Sequence, residues 1–374
     1  MDIQDKKRRL VSLTVTDNCN LDCLYCYERD KKNTCMPIDV AKDAIAHEFA
    51  TCTGYDEIEI DLFGGEPTLY PEFIQELVDW TASQHFGKAY VFFLQTNGTL
   101  VHGKFQEWLR QRKALVNVGL SLDGTPETHN LNRCASYDDI DIPFFVNNYP
   151  KQGVRMTVND GTFQNLASDV IHLHNLGFLR VDAVFAYGRN WNTEAVELGL
   201  SRELRELCDF YLRNPNLREC SIFDLDLNIL IHNQENLEKW CGSGETMVSI
   251  GVDGKRYPCQ TFQPNTNPNP MLLGDIDFSA IRDFSDSACG QCLMKAICPT
   301  CYGINHLTSG NILVRNQNWC MVTKLRTLAK SYLCARQIEA RYREMSPSMV
   351  YQTIRAIQLV QSSLANSLPR ENAL

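Results

Sequence analysis

No uninterrupted apolar run in this chain is long enough to span a bilayer, which excludes a helical membrane anchor. The opening MDIQDKKRRLVSLTVT has no apolar h-region and no small-residue cleavage site. It passes from charges straight into an alternating strand pattern, so a cytoplasmic location is expected. Positive charge is in deficit: 36 Lys and Arg stand against 45 Asp and Glu, a net charge of −9. Non-specific nucleic-acid binding needs a positive surface and is not expected. The short basic run Lys6, Lys7, Arg8, Arg9 reads as a solvated face. Internal repeats and low-complexity tracts are also missing. Cysteine is not: there are 16. A chain of 374 residues can bury a sufficient core without disulfide staples, and cytosolic thiols are kept reduced. Clustered cysteines in such a chain point to metal ligation.

The first half alternates strand-like and helix-like segments. Strand patterns run over 10–16, 57–63, 90–95, 116–122, 154–158 and 180–185, with helical patterns near 38–50, 71–84, 105–112 and 167–176. Six strands alternating with helices imply parallel pairing through right-handed crossovers, in an open sheet or a full or partial barrel. The regularity stops near Tyr187. A helical connector follows at 201–212, then a loop-rich stretch to Cys320 holding seven cysteines, with a hairpin turn expected at Gly251–Lys255. A long helix is expected over 321–345, and a partly helical tail beyond Pro347.

Cys19, Cys23 and Cys26 form C-x3-C-x2-C directly after the first strand. Three thiolates within eight residues can cap three irons of a cubane and leave the fourth open to a chelating ligand. A zinc site is the alternative, but it needs a fourth ligand, and no histidine lies close in sequence. Loops that follow parallel barrel strands also form the active face of such folds.

This spacing, with Tyr25 before the third cysteine, resembles the signature of the radical S-adenosylmethionine superfamily. The resemblance implies a [4Fe-4S] cluster whose open iron chelates the amino and carboxylate groups of S-adenosyl-L-methionine. One-electron cleavage then gives a 5′-deoxyadenosyl radical that abstracts a substrate hydrogen. Tyr25 would lie near the adenine. Gly64-Gly65-Glu66-Pro67, closing the second strand, resembles the family's GGEP motif, with Glu66 accepting from the methionine ammonium. Gln95-Thr96-Asn97-Gly98 and Ser121-Leu122-Asp123-Gly124 close the next two strands and contain ordinary turn formers. With His129 to Arg133 they resemble the cofactor face of peptide-modifying members. Ser121 is expected at the ribose or carboxylate, and Arg133 nearby.

Cys241, Cys259, Cys289, Cys292, Cys298, Cys301 and Cys320 resemble the SPASM extension, which carries two auxiliary iron–sulfur clusters. One interval departs, Cys298-x2-Cys301 where the family usually shows x3. Carried over residue by residue, Cys289, Cys292, Cys298 and Cys320 would bind the outer cluster. Cys241, Cys259 and Cys301 would bind the inner one, its fourth ligand unassigned. The fold expected is α/β, a partial (β/α)6 TIM-like barrel over 1–190. A helical connector (191–235), a small loop-rich iron–sulfur domain (236–325) and a C-terminal helix and tail (326–374) follow. SPASM proteins mostly act on peptides or proteins. The expected function is therefore oxidative maturation of a ribosomally made precursor peptide, by a thioether or carbon–carbon crosslink. A reductant such as flavodoxin or ferredoxin is implied. With no room before Leu10 for a fused leader-binding domain, a separate leader-binding protein or direct docking on the barrel is expected to replace it. The nearest rival is formylglycine formation by a sulfatase-maturating enzyme. In that subfamily an Asp after the second SPASM cysteine acts as base, whereas Gln260 follows Cys259 here. An electron-transfer protein would need none of the strand-end motifs.

Overall fold

The computed structural model describes residues 7–232, 241–280, 289–290 and 292–364. Its strands are β1 (Arg8–Thr16), β2 (Glu57–Gly64), β3 (Ala89–Thr96), β4 (Val116–Leu120), β5 (Val154–Val158), β6 (Val181–Phe185), β7 (Met247–Ile250) and β8 (Arg256–Tyr257). Between and after them come helices α1 (Ile38–Thr51), α2 (Pro71–Ser83), α3 (Gly103–Arg112), α4 (Pro126–Asn132), α5 (Ile142–Asn148) and α6 (Leu166–Asn175). The series ends with α7 (Glu194–Arg213), α8 (Ile229–His232), α9 (Tyr302–Ser309), α10 (Cys320–Arg341) and α11 (Pro347–Leu364). The fold is mixed α/β around a parallel sheet, as expected, and it divides into two compact units.

The first unit comprises the described parts of Met1–Leu122, His129–Val154 and Cys241–Ile281. Its sheet runs β4-β3-β2-β1-β7-β8, parallel except for the β7–β8 hairpin. The side-chain period of two gives the sheet two unlike faces. Val11, Leu13, Ile58, Ile60, Leu62, Phe92, Leu94 and Val118 share one face by register and are fully buried. The opposite face carries a row that crosses five strands in register: Ser249, Ser12, Asp61, Phe93 and Asn117. This row is mostly polar, and Asp61, Phe93 and Asn117 are only half-buried. Gly119 belongs to the same face, where a Cβ would lie 2.7 Å from both the Gln95 Oε1 and the Phe93 ring.

A salt-bridge knot closes the sheet's outer side. Glu48 of α1 is buried and takes the Arg9 Nε at 3.2 Å, the Cys52 thiol at 2.9 Å and the Arg256 guanidinium. These partners outweigh burial and lower the Glu48 pKa. The hairpin at Gly251–Lys255 is present, with a five-residue loop and not a two-residue type I′ turn. Only Gly254 has positive φ (75°), and the Asp253 carboxylate holds the turn by accepting from Lys255 N.

The second unit comprises the described parts of Asp123–Thr128, Arg155–Trp240 and Arg282–Leu374. Here β5 and β6 pair, and α6, α7 and α10 pack together over Leu200, Leu204, Leu207, Leu325 and Leu333. α7 is longer than the sequence pattern predicts because the Thr193 hydroxyl caps it, accepting from Val196 N at 3.2 Å. A second apolar cluster joins Leu227 and Leu230 to Met294 and Ile297 of the cysteine-rich stretch and to Ala356, Val360 and Leu364 of α11. The long C-terminal helix breaks at Arg341, and a new one starts at Pro347. The expected domain boundary at 235/236 and the last ten residues of the tail lie outside the described residues, as does Lys6 of the basic run. Among the described residues no helix is long and apolar enough to cross a membrane.

Candidate iron–sulfur and cofactor site

The loop after β1 holds Cys19, Cys23 and Cys26, all half-buried. Burial pushes the Cys19 thiol up to about 12 and raises that of Cys26. Both must give up a proton to act as ligands, so a cation has to be present for them to ionise at neutral pH. Lys31 supplies part of that charge. Its Nζ donates to Leu21 O at 2.7 Å and to Asp22 Oδ1 at 3.0 Å, and it feels the fields of Cys19 and Cys26. Among the described residues no three His, Cys, Asp or Glu converge as ligands of one metal ion. Three soft donors on one loop suit a cubane, in which three thiolates leave the fourth iron open.

The two glycines of the second strand end are fixed by this loop. A Cβ at Gly64 would meet Thr16 O at 2.2 Å, and its φ of 137° suits only glycine. A Cβ at Gly65 would meet Asn18 O at 2.2 Å and the Cys19 Cβ at 3.0 Å. Gly65 N donates to Thr16 O and Glu66 N to Asn18 O, so the end of β2 is laced along the chain leading into Cys19. Glu66 is completely buried, and its carboxylate accepts four hydrogen bonds from within the chain. Oε1 accepts from Thr68 N, Thr68 Oγ1 and Thr96 Oγ1, and Oε2 accepts from Asn97 N at 2.7 Å. It therefore braces the ends of β2 and β3.

Tyr25 lies under the Arg133 guanidinium, 5.4 Å from its ring centroid. The same region meets the cysteine loop twice more: Leu24 N donates to Asn132 O, and Asp22 N to the Cys134 sulfur at 3.2 Å. Cys134 and Ala135 are the two described non-glycine residues with positive φ (57° and 55°), a strained reversal directly after Arg133. Ser121 lies at the end of β4 and accepts from Gln95 Nε2 at 2.8 Å. Tyr25, Gly64, Gly65, Glu66, Ser121 and Arg133 all belong to the first unit, with the three cysteines. Glu28, two residues past Cys26, is buried among its neighbours, and its pKa rises to about 7.

The other cysteines divide between the units. Cys241 (exposed) and Cys259 (buried) belong to the first; Cys289, Cys292, Cys298, Cys301 and Cys320 belong to the second. Within the second, Cys320 has its pKa raised by burial and then by the nearby Cys298 and Cys292 thiols. Those three were expected together. Arg315 frames them, donating to Cys298 O and Lys295 O. Cys208 and Cys220, which lack ligand spacing, are fully buried among apolar side chains. Lys31, Asn20 and Thr99 were not singled out from the sequence. Nothing in their local spacing marks them: Asn20 and Thr99 meet across two strand ends, and Lys31 reaches back nine and ten positions along its own loop.

Residues 13–141 match the Radical SAM superfamily model. A Methanocaldococcus jannaschii protein, MJ0907, is 35% identical over 112 residues, 30% of this chain and 37% of that one. This chain thus spans little more than a third of that relative. The cysteine-type anaerobic sulfatase-maturating enzyme of Clostridium perfringens is 25% identical over 272 residues, 66% of this chain and 72% of that enzyme. The solved structure of native anSMEcpe with bound AdoMet and Cp18Cys peptide superposes with a TM-score of 0.66. It covers 95% of this chain and 99% of its own at 18% identity, a likeness of fold. Residues 13–141 of this chain are a radical SAM domain.

Proposed function

We propose that this enzyme is a maturase that oxidises a side chain of a peptide or protein substrate. The observation that carries the reading is the pairing of three half-buried thiols after β1 with a polar, half-open inner sheet face in the same unit. With a [4Fe-4S] cluster and S-adenosyl-L-methionine bound, Cys19, Cys23 and Cys26 would hold the cluster, and the pair would supply a carbon-centred radical that removes hydrogen. Tyr25, Ser121 and Arg133 would line the cofactor, and Gly64 and Gly65 would admit it close to the backbone. Glu66 enters through the shape of its turn, since its four hydrogen bonds are made inside the chain. Cys289, Cys292, Cys298 and Cys320 would hold an outer auxiliary cluster, and Cys241 and Cys259 would contribute to an inner one. An external reductant and a precursor peptide, with or without a separate leader-binding protein, complete the set of partners.

Two products fit this class. The Clostridium relatives favour formylglycine, made from a Cys or Ser side chain. Gln260 favours a crosslink, because an amide beside Cys259 cannot take a proton at neutral pH. Short peptides encoded beside the gene, incubated with reduced enzyme and read by high-resolution mass spectrometry, decide between them. On a cysteine peptide, loss of two hydrogens marks a crosslink, and loss of hydrogen sulfide with gain of one oxygen marks formylglycine. On a serine peptide both products lose two hydrogens, and only formylglycine then reacts with a hydrazide that traps aldehydes. Modification of a small metabolite, with every peptide untouched in water and in deuterium oxide, would sink the maturase reading.

A further inference from the structure

The loop that carries Cys19 is tied to the end of β3 by a closed ring of side-chain hydrogen bonds. Asn97 Nδ2 donates to Asn20 Oδ1 at 2.9 Å, Asn20 Nδ2 donates to Thr99 Oγ1 at 2.8 Å, and Thr99 Oγ1 donates to Asn97 Oδ1 at 2.8 Å. Every bond runs the same way round, so each group polarises the next. Thr99 N also donates to Asn97 Oδ1 at 3.0 Å, which fixes the amide orientation. Asn97 itself is anchored from below, its N–H donating to the buried Glu66 carboxylate at 2.7 Å. Asn97 and Thr99 are buried, while Asn20 stands at the surface as the ring's contact with the cysteine loop. Asn20 is the residue next to Cys19.

We infer that Asn97, through Asn20 and Thr99, is a positioning residue that sets the pose of the Cys19 thiolate toward the first cluster. The inference rests on the reading that Cys19, Cys23 and Cys26 hold that cluster. A three-cysteine loop has many conformers, and a cubane accepts only those that aim three sulfurs at three irons. Gly65 limits the loop from one side by its closeness to Asn18 and Cys19; the ring limits it from the other. Partners that orient a metal ligand are worth roughly ten- to a hundredfold in metal affinity when removed. Neither Asn97 nor Thr99 has to touch the cofactor for this effect.

The test uses the full chain, reconstituted anaerobically, in four forms: unaltered, Asn97→Leu, Thr99→Val and Thr99→Ser. Iron released to a chelator is timed, and electron paramagnetic resonance is recorded on the reduced protein with and without S-adenosylmethionine. Asn97→Leu and Thr99→Val should lose the first cluster's share of iron at least about tenfold faster and alter its resonance. Iron in the auxiliary clusters should leave at the unaltered rate. Thr99→Ser keeps the hydroxyl and should match the unaltered protein, a rescue that a loss of packing alone would not give. If Asn97→Leu fails to fold, Thr99→Val carries the comparison. Unchanged release and resonance in Thr99→Val would overturn the proposal. The Cys19, Cys23, Cys26→Ala protein serves as control: if it retains as much iron as the unaltered chain, the cluster reading itself has failed, and the ring with it.

Discussion

Burial raises the proton affinity of the Glu66 carboxyl, while hydrogen bonds from Asn97, Thr68 and Thr96 lower it. The group is held by geometry, with four donors converging on two oxygens. Glu66→Ala leaves the N–H groups of Asn97 and Thr68 without their acceptor in the interior. Each buried unsatisfied group costs about 1–3 kcal/mol, so anaerobic denaturation should show a loss of at least about 2 kcal/mol. Glu66→Gln keeps the shape, and the threonine hydroxyls can turn to accept, so its loss should be clearly smaller. An Ala variant as stable as the parent would remove the brace from the account. Gly65→Ala is a question of space, because its φ is ordinary but the new methyl lies 2.2 Å from Asn18 O. The Cys19 loop must move, and purified variant should hold about one cubane's iron less than the parent, by colorimetric assay. The cysteines and the Gly-Gly-Glu-Pro turn were legible in the sequence because their chemistry restricts residue type at fixed spacing. The Asn20–Asn97–Thr99 ring was not, since its members are 77 and 79 positions apart and Asn97-Gly98 reads locally as a turn.

Asp169 shows how one helix is seated. It lies on α6, fully buried, with Oδ1 accepting from Thr125 N at 2.9 Å and Thr125 Oγ1 at 3.0 Å, while Oδ2 has no partner. Gly124 makes room, since a Cβ there would lie 2.2 Å from the Asp169 Cβ. Desolvation raises the Asp169 pKa from 3.8 to about 6. A raised carboxyl pKa means that the native state holds a proton the unfolded state has released. Stability from this group is therefore complete below about pH 4 and declines as pH rises toward 6. The full effect is up to roughly 3 kcal/mol, at about 1.4 kcal/mol per pKa unit. Asp169→Asn keeps the Oδ1 acceptor and removes the charge, so melting temperatures should rise at pH 7.5 and change less between pH 5 and 7.5. Parallel pH profiles for parent and variant would show that Asp169 titrates normally. At this scale the sequence pattern placed β1 to β6 within two residues of where they lie. It missed α4 and α5, seven residues each and too short to show a helical period. It also missed the parallel pairing of β7 with β1, because a four-residue strand whose partner is more than 230 positions away has no local signal.

Across the whole chain, ten cysteines fall into two ordered arrays, and the structure distributes them over both compact units. The first array stands on one loop of the first unit, and within the second burial and then the nearby Cys298 and Cys292 raise the pKa of Cys320. Cys19, Cys23 and Cys26 in the first unit and Cys289, Cys292, Cys298 and Cys320 in the second imply that these two sites load separately. A cubane carries four irons, so full anaerobic reconstitution should approach about twelve irons and twelve sulfides per chain, with the broad charge-transfer absorption of thiolate-bound clusters. Replacing Cys19, Cys23 and Cys26 together by Ala should remove about a third of that iron and abolish 5′-deoxyadenosine production. Replacing Cys289, Cys292, Cys298 and Cys320 should remove another third yet leave cofactor cleavage measurable, because the first cluster stays in its own unit. Zinc in place of iron, with a colourless protein, would rule out the clusters altogether. Cleavage that survives loss of Cys19, Cys23 and Cys26 but fails without the later cysteines would move the reactive site to the C-terminal array. The decisive quantity is the pairing of each iron fraction with the activity lost, since iron content alone cannot say which cluster meets the cofactor.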